Sequence, residues 1–584
     1  MNWIERKGPQ VLLIWGVLVV ALSLSASMGG DIPRVTGDDA MRLVTAMDLF
    51  QGQSWFDTIQ HRDNTPFGAS MHWSRLIDAP IVLLMAVFQP FVQDAAPYWA
   101  AFVWPLLVLL AVVALLAELT HRVAGKAARF PALALLALSI AVYTEFIPGR
   151  VDHHNVQIAL TLAMIILSIE GRLSTRAAIG AGLVAATGIA IGTEILPATV
   201  AVLVCFGLYW VVEPQRCGTR LLAFAASFAA GLLLHVLASA PPQLWFVAAC
   251  DALSITYVVA GAAYGLAMLI AVLLGAVLRH WALRFGALAV LGALAIAIVV
   301  MCFPECLAGP YGNLDPDLAR ILMTQISEAQ PLFAWVYENP QFAALVVTPV
   351  LGLAAMLLAT ALAPHDQRWR WIVLSGFCLA LFAVFCLQVR GFRLLTIAVL
   401  PGLAWIAAQL WVWFRSRQTL LAAAVTGLTL LSFTGVAHYW VAYNLVQALS
   451  SDAGPSEALV NWDACLQRED YEPLAALPTG TAMSFLLIGA QILLETPHSI
   501  VSAGYHRNED GLRDMVRFYG GGEAEARAVA EQRGLDYLVF CKGLPPNGGL
   551  EGVPAFEGLD WPWLKPISDP DADLQIYAID LPAN

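Results

Sequence analysis

The stretch Gly149-Arg150-Val151-Asp152-His153-His154 stands between two apolar runs, residues 131–146 and 156–169. A turn this short cannot carry its charges far from the ends of the runs it joins. Charges at the ends of apolar segments are held there by pairing or by function. The two runs read as membrane spans, and the turn between them as a place where chemistry is done.

Working outward, further apolar runs fall at 12–29, 98–119, 176–193, 196–212, 221–239, 257–277, 285–302, 342–362, 371–388, 394–413 and 419–441. A span needs roughly 20 apolar residues, so the expectation is thirteen spans. Alternate connections collect the basic residues: Arg122, Lys126 and Arg129, then Arg172 and Arg176, Arg216 and Arg220, Arg279 and Arg284, Arg368 and Arg370, and Arg415 and Arg417. The opposite loops between residues 147 and 393 hold only Arg150, Arg320, Arg390 and Arg393. Basic loops stay cytoplasmic, which places the N-terminus inside, the C-terminus outside and the Asp152 turn outside. Residues 1–29 resemble a signal peptide but are read as a retained first span.

Composition agrees. The chain is 59% hydrophobic and 13% charged, with mean hydropathy +0.70, whereas soluble domains are about 25% charged. A formal charge of −12 argues against nucleic acid, which needs a basic footprint. Nine cysteines show no CxxC spacing, which disfavours zinc and haem sites. Cys250, Cys306, Cys465 and Cys541 fall outside, where disulfides are permitted; their pairing is open at this level.

Residues 79–92 are apolar but short and bounded by prolines. Counted as a span they would turn the basic loop 119–130 outward, so they read as an interfacial or re-entrant helix. The expected domains are a transmembrane domain, 1–441, with large external loops 30–97 and 303–341, and an external domain, 442–584. The tail alternates short strands (481–485, 499–503, 536–540) with helical stretches (489–495, 511–519, 523–533), with turns at Gly520-Gly521-Gly522 and residues 545–549. That alternation indicates a small α/β domain. No internal repeat is visible, against an inverted-repeat transporter.

Candidate residues crowd the external side. Asp38 and Asp39 follow the first span and offer hard oxygen ligands for Mg²⁺ or Mn²⁺; the plainer reading is a helix cap. Asp152 and His154, two apart, reach one ion if the turn is extended; the plainer reading pairs Arg150 with Asp152. Glu145 lies at the same turn. Glu328 belongs to the acidic loop segment 324–331. Arg390 and Arg393 lie outside against the positive-inside trend, where a lipid phosphate is a natural partner and a snorkelling arginine the alternative. His153, Glu194, His72 and Arg75 carry less weight. His498 and the segment 505–508 read as structural.

Together these pieces resemble the catalytic subunit family of oligosaccharyltransferases, in the GT-C superfamily of membrane glycosyltransferases. Gly37-Asp38-Asp39 looks like the first metal-binding aspartate motif, with Asp39 the better match. Pro66-Phe67-Gly68-Ala69-Ser70-Met71-His72-Trp73 looks like the Pro-x-Gly…His-Trp-Pro-Pro segment of archaeal members. Gly149–His154 is similar to the second motif, where Asp and His two apart bind metal. Ile326-Ser327-Glu328-Ala329-Gln330-Pro331 resembles the Ser/Ala-Glu-x-Gln-Pro motif of the long external loop, and Arg393 occupies the place of the arginine that binds the lipid-linked phosphate. The thirteen-span layout is also the family's, so the resemblance covers about residues 1–441. The tail departs from it. The Trp-Trp-Asp-Tyr-Gly motif that reads an acceptor sequon has as its nearest string Asn461-Trp462-Asp463-Ala464-Cys465, which leaves the acceptor open between glycan, lipid and protein.

The resemblance implies a polytopic GT-C-like fold and an enzyme of the bacterial cytoplasmic membrane, its tail periplasmic. It would move a sugar or oligosaccharide from a polyprenyl-(pyro)phosphate donor to an acceptor. Mn²⁺ or Mg²⁺ would be held by Asp39, Asp152 and His154, with Glu328 as a further candidate. Arg393 would bind the donor phosphate, and Asp39 or Glu328 would orient the acceptor or take its proton. The rival readings are a polysaccharide polymerase or ligase, which would dispense with the acidic metal site, and a lipid-linked glycan flippase or transporter. The spans are nearly free of ionisable residues, which favours an outer-face enzyme over a conduit.

Overall fold

The structure, a computed structural model, describes residues 7–27, 33–309, 311–312, 314–450, 465–542, 550, 556 and 560–581. The chain forms two compact units: Met1–Asp31, Phe102–Pro310 and Glu328–Ser451 make the first, and Ile32–Ala101, Tyr311–Ser327 and Asp452–Asn584 the second. The second therefore groups parts of both large loops with the tail.

The protein is a polytopic α-helical membrane protein with a C-terminal α/β domain. Among the described residues ten helices are long and apolar enough to cross a membrane, and an eleventh span follows if one bent pair is counted. Most of the thirteen expected runs appear as single helices, such as His154–Gly171, Pro214–Ser239 and Trp281–Cys302. The helix Thr175–Ile191, at 17 residues, falls just short of span length. The run 131–146 is broken into Lys126–Ala137 and Ile140–Glu145. The last run is bent by 78° between Leu420–Leu431 and Gly435–Leu449. These two breaks meet: the Val436 amide donates to the Leu138 carbonyl at 3.3 Å. An open backbone carbonyl in lipid costs several kcal/mol, so each break supplies what the other lacks. Residues 79–92 form helix, within Arg75–Val92.

Lipid offers no hydrophobic drive between apolar helices, so close approach of backbones does the packing. Gly182 shows it. A Cβ there would lie 2.5 Å from the Phe224 carbonyl oxygen and 2.8 Å from the Phe228 amide, so the helix Thr175–Ile191 seats directly on Pro214–Ser239. At the basic ends the loops tie to one another: Arg172 pairs with Glu213 at 2.7 Å, Arg122 with Glu118 at 2.6 Å and also with Glu170, and Arg370 donates to the Arg122 carbonyl at 2.9 Å.

The second unit is built on two sheets. The strands β1 (Ile59–Gln60) and β2 (Ala69–Ser70) form an antiparallel hairpin. In the tail, β3 (Thr481–Ser484), β4 (Ser499–Ile500), β5 (Tyr537–Cys541), β6 (Leu564–Pro566) and β7 (Leu574–Ile579) order as β4-β3-β5-β7-β6. The pairs β4–β3 and β3–β5 are parallel, and β5–β7 and β7–β6 antiparallel. The three strands expected from sequence are β3, β4 and β5, joined by helices Leu486–Glu495, Glu509–Gly520 and Gly522–Arg533. The strands β6 and β7 were not legible, because turn-rich sequence surrounds them. The Gly520–Gly522 turn separates two helices as expected; residues 545–549 lie outside the described residues, as do Asn461–Ala464 of the string nearest the sequon motif. Disulfides join Cys250 to Cys306 and Cys465 to Cys541. The other five cysteines are free.

Candidate functional site

In the first unit the site grows from the turn Gly149–His154. The helix Ile140–Glu145 ends, residues 147–153 turn back, and His154 begins the next helix. His153 is its N-cap and already has helical backbone angles, φ −74° and ψ −11°. The turn is thus not extended at His153, as sharing a face at two residues apart would require. A helical turn achieves the same meeting and draws in His153 as well. Asp152 Oδ1 lies 2.6 Å from His153 Nδ1, and Asp152 Oδ2 lies 3.2 Å from His154 Nε2. One ligand atom from each of Asp152, His153 and His154 falls within 4.8 Å of the others. All three side chains are buried.

Around this core stand charged residues from three other helix ends. Glu194, in the short turn Thr193–Ile195, lies 3.3 Å from His153 Nε2 and accepts from Gln157 Nε2 at 3.1 Å. Arg390 reaches the other Glu194 oxygen at 3.8 Å. Glu328 places Oε1 3.9 Å from His154 Nε2 and pairs through Oε2 with Arg393 Nη2. Backbone bonds dock the Glu328 segment on the Arg393 helix: the Arg390 amide donates to the Glu328 carbonyl at 2.9 Å and the Val389 amide to Gln330 at 3.0 Å. Arg393 Nε lies 2.7 Å from Glu145, which also faces Arg150 at 3.4 Å. Arg150, which the sequence paired with Asp152, has Glu145 as a partner.

The electrostatics follow from this packing. Burial alone would strip His153 of its proton, but the Asp152 and Glu194 carboxylates outweigh it and push its pKa up to about 10. Burial also opposes the Glu328 carboxylate, yet the Arg393 guanidinium holds its pKa below the ordinary value. The buried Asp152 carboxylate and His154 imidazole, with the half-buried Glu328 carboxylate beside them, suit a divalent cation. Arg393 Nη1 is buried and donates to no described residue, so the guanidinium keeps a donor for an anionic ligand.

The remaining candidates belong to the second unit. Gly37 has φ +58°, a region open to glycine, and it starts the helix Asp38–Phe50 with both aspartates in its first turn. Asp39 is buried. Asp38 Oδ1 accepts from the Tyr505 hydroxyl at 3.1 Å, so Tyr505 has a partner that sequence reading missed. Arg75 pairs with Asp78 at 3.1 Å, and Asp78 also pairs with Arg42 at 3.0 Å. Arg42 lies 4.4 Å over the Trp73 ring. This buried network ties Arg75 into packing. His72 rests on His506, ring centres 4.9 Å apart. Among these carboxylates, Glu145 had no role assigned from sequence; its signal was a lone acid at the end of an apolar run.

Solved structures share this fold. The archaeal oligosaccharyltransferase AglB from Archaeoglobus fulgidus, in complex with an inhibitory peptide and a dolichol-phosphate, superposes with TM-score 0.67 at 14% identity over 92% of this chain and 70% of that one. The same organism's oligosaccharyltransferase tethered with an acceptor peptide containing the NVT sequon gives 0.62 at 15%, over 91% and 68%. Its complex with Zn and sulfate gives 0.61 at 15%, over 91% and 68%. The expected likeness of fold to oligosaccharyltransferases is therefore observed. No protein-family model and no curated protein matches the chain.

Proposed function

We propose that this protein is a membrane glycosyltransferase that moves a sugar or oligosaccharide from a polyprenyl-(pyro)phosphate donor to an acceptor at the outer face of the cytoplasmic membrane. The observation that carries the reading is the Asp152–His153–His154 cluster set beside Glu328 and Arg393 at neighbouring helix ends. It joins a cation-binding set to a guanidinium with a spare donor, which is what a phosphate leaving group requires. Supporting it, AglB, whose fold this chain shares, is described in complex with a dolichol-phosphate.

In this reading Arg393 binds the donor phosphate. The acceptor attacks the anomeric carbon, the bond from that carbon to the phosphate oxygen breaks, and its electron pair leaves on the phosphate beside Arg393. Asp152 and His154 would hold Mn²⁺ or Mg²⁺, with Glu328 as a further ligand; the cation, when bound, would offset charge on the leaving phosphate. Glu328 would orient the acceptor. His153, bridged to Glu194, fixes the Asp152 carboxylate. Asp39 enters on the family resemblance alone, as a further ligand or as the group taking the acceptor proton.

The outer-face assignment is supported by Cys250–Cys306. Thr193 Oγ1 donates to the Asp251 carbonyl at 3.4 Å, so the disulfide loop lies against the Glu194 turn, and disulfides persist in oxidising compartments. The test is release of polyprenyl phosphate from polyprenyl-linked sugar extracts by purified protein in lipid, with and without EDTA. Release that needs Mn²⁺ or Mg²⁺ supports the proposal. Release indifferent to chelator favours a polymerase or ligase.

A further inference from the structure

Arg393 is held by two carboxylates of different character. Glu145, with 3% of its side chain exposed, grips Nε at 2.7 Å and has only Arg150 as a second described partner. Glu328, 29% exposed, is divided: Oε2 pairs with Arg393 Nη2, while Oε1 stands 3.9 Å from His154 Nε2, itself 3.2 Å from Asp152. A guanidinium grips phosphate best through two parallel donors. Here one donor of that edge, Nη1, is unused, and the other, Nη2, is occupied by Glu328.

We infer that Glu328 is an exchangeable partner shared between Arg393 and the cation cluster, while Glu145 is the fixed positioning residue that keeps Arg393 aimed. Turning Glu328 toward a cation at Asp152 and His154 removes it from Nη2 and opens the full guanidinium edge to the donor phosphate. Cation and phosphate binding are then coupled, and the coupling is reciprocal. The inference rests on the proposed donor-phosphate role of Arg393.

The test uses the full-length protein in lipid nanodiscs, with undecaprenyl phosphate and Mn²⁺ as probes and dissociation constants as readout. In the parent protein saturating Mn²⁺ tightens undecaprenyl phosphate binding on the order of tenfold relative to EDTA. Glu328→Gln tightens binding in EDTA toward the Mn²⁺ value and shrinks the Mn²⁺ effect. Glu145→Gln weakens binding in both conditions and leaves their ratio unchanged. Mn²⁺ binding followed by electron paramagnetic resonance tightens with undecaprenyl phosphate by the same factor in the parent, and by less in Glu328→Gln. The inference is overturned if Glu328→Gln binds no tighter in EDTA, or if Glu145→Gln tightens binding as Glu328→Gln does, since loss of negative charge alone would then explain both. Arg393→Ala separates the premise: if it binds undecaprenyl phosphate as the parent does, the phosphate role of Arg393 fails with everything built on it.

Discussion

Asp152 Oδ2 and His154 Nε2 stand 3.2 Å apart, while the other Asp152 oxygen is held by His153 at 2.6 Å. One carboxylate is thus oriented by one imidazole and presented beside another. Orientation of a ligand by a hydrogen-bonded neighbour typically accounts for about 10- to 100-fold in metal affinity.

Asp152→Ala removes the carboxylate that organises the cluster. Transfer should fall to background with expression and size-exclusion profile intact, and Asp39→Ala should do the same. Glu194→Gln, acting through His153 on the Asp152 carboxylate, should weaken Mn²⁺ binding by roughly tenfold. Polyprenyl phosphate release and Mn²⁺ titration measure both. Retained turnover in either aspartate variant would remove that residue from the site.

Arg393→Lys keeps the charge and discards the fork. A lysine's single nitrogen cannot hold Glu145 and also present two parallel donors to a phosphate, so affinity for polyprenyl phosphate should drop about tenfold or more. Equal affinity in the lysine variant would show that charge alone suffices.

Asp63, in the second unit, is fully buried. Its Oδ1 accepts from Asn508 Nδ2 at 3.0 Å and from the Asn64 amide at 2.8 Å, and Oδ2 has no described partner. Neighbouring Asn64 accepts from Arg533 at 3.0 Å. Burial pushes the Asp63 pKa up from 3.8 to about 7, against the Asn64 and Asn508 hydrogen bonds and Arg533. Between those values the folded chain binds the extra proton. This group's contribution to stability is therefore complete at low pH, falls as pH rises through that window and is flat above it. The fall should amount to a few kcal/mol. Asp63→Asn should lose that slope in melting temperature against pH; an unchanged slope would show that Asp63 is already ionised when folded.

Gly182→Leu puts a side chain where Phe224 and Phe228 backbone already lie. Overpacking of this kind costs about 1–3 kcal/mol or more, read as a lower thermal midpoint in detergent. A midpoint equal to the parent's would mean the two helices separate at no cost.

Cys465 and Cys541 close a 76-residue separation. A link of that length contributes on the order of 2–4 kcal/mol, so Cys541→Ser should lower the melting temperature, as should reductant on the parent. Free thiols at both positions in non-reducing mass spectrometry would refute the pairing.

Span positions were legible because roughly 20 consecutive apolar residues have few other uses. The alternation of the tail disclosed β3, β4 and β5 because each is a short apolar run between turn residues. The strands β6 and β7 escaped: β6 is a three-residue edge strand ending in proline, and β7, paired with β5 and β6, owes its conformation to those neighbours rather than to its own pattern. The same limit governed the spans. Run 131–146 reads as one span, yet it breaks around Leu138 and Ser139, where Val436, some 300 residues on, bonds the freed Leu138 carbonyl.

At the site, residue type and order along the chain were enough to single out Asp152, His154, Glu328 and Arg393, because a buried or interfacial charge beside apolar runs is costly and therefore conspicuous. Which charge meets which was not in the order of residues. Arg150 met Glu145 at its own turn, Arg393 reached the same Glu145, and Glu328 fell between His154 and Arg393, the last two through contacts among helix ends far apart in sequence. Apolarity and charge are local properties and can be read along a chain; pairing depends on which helix ends packing brings within 4 Å, and only the tertiary structure sets that.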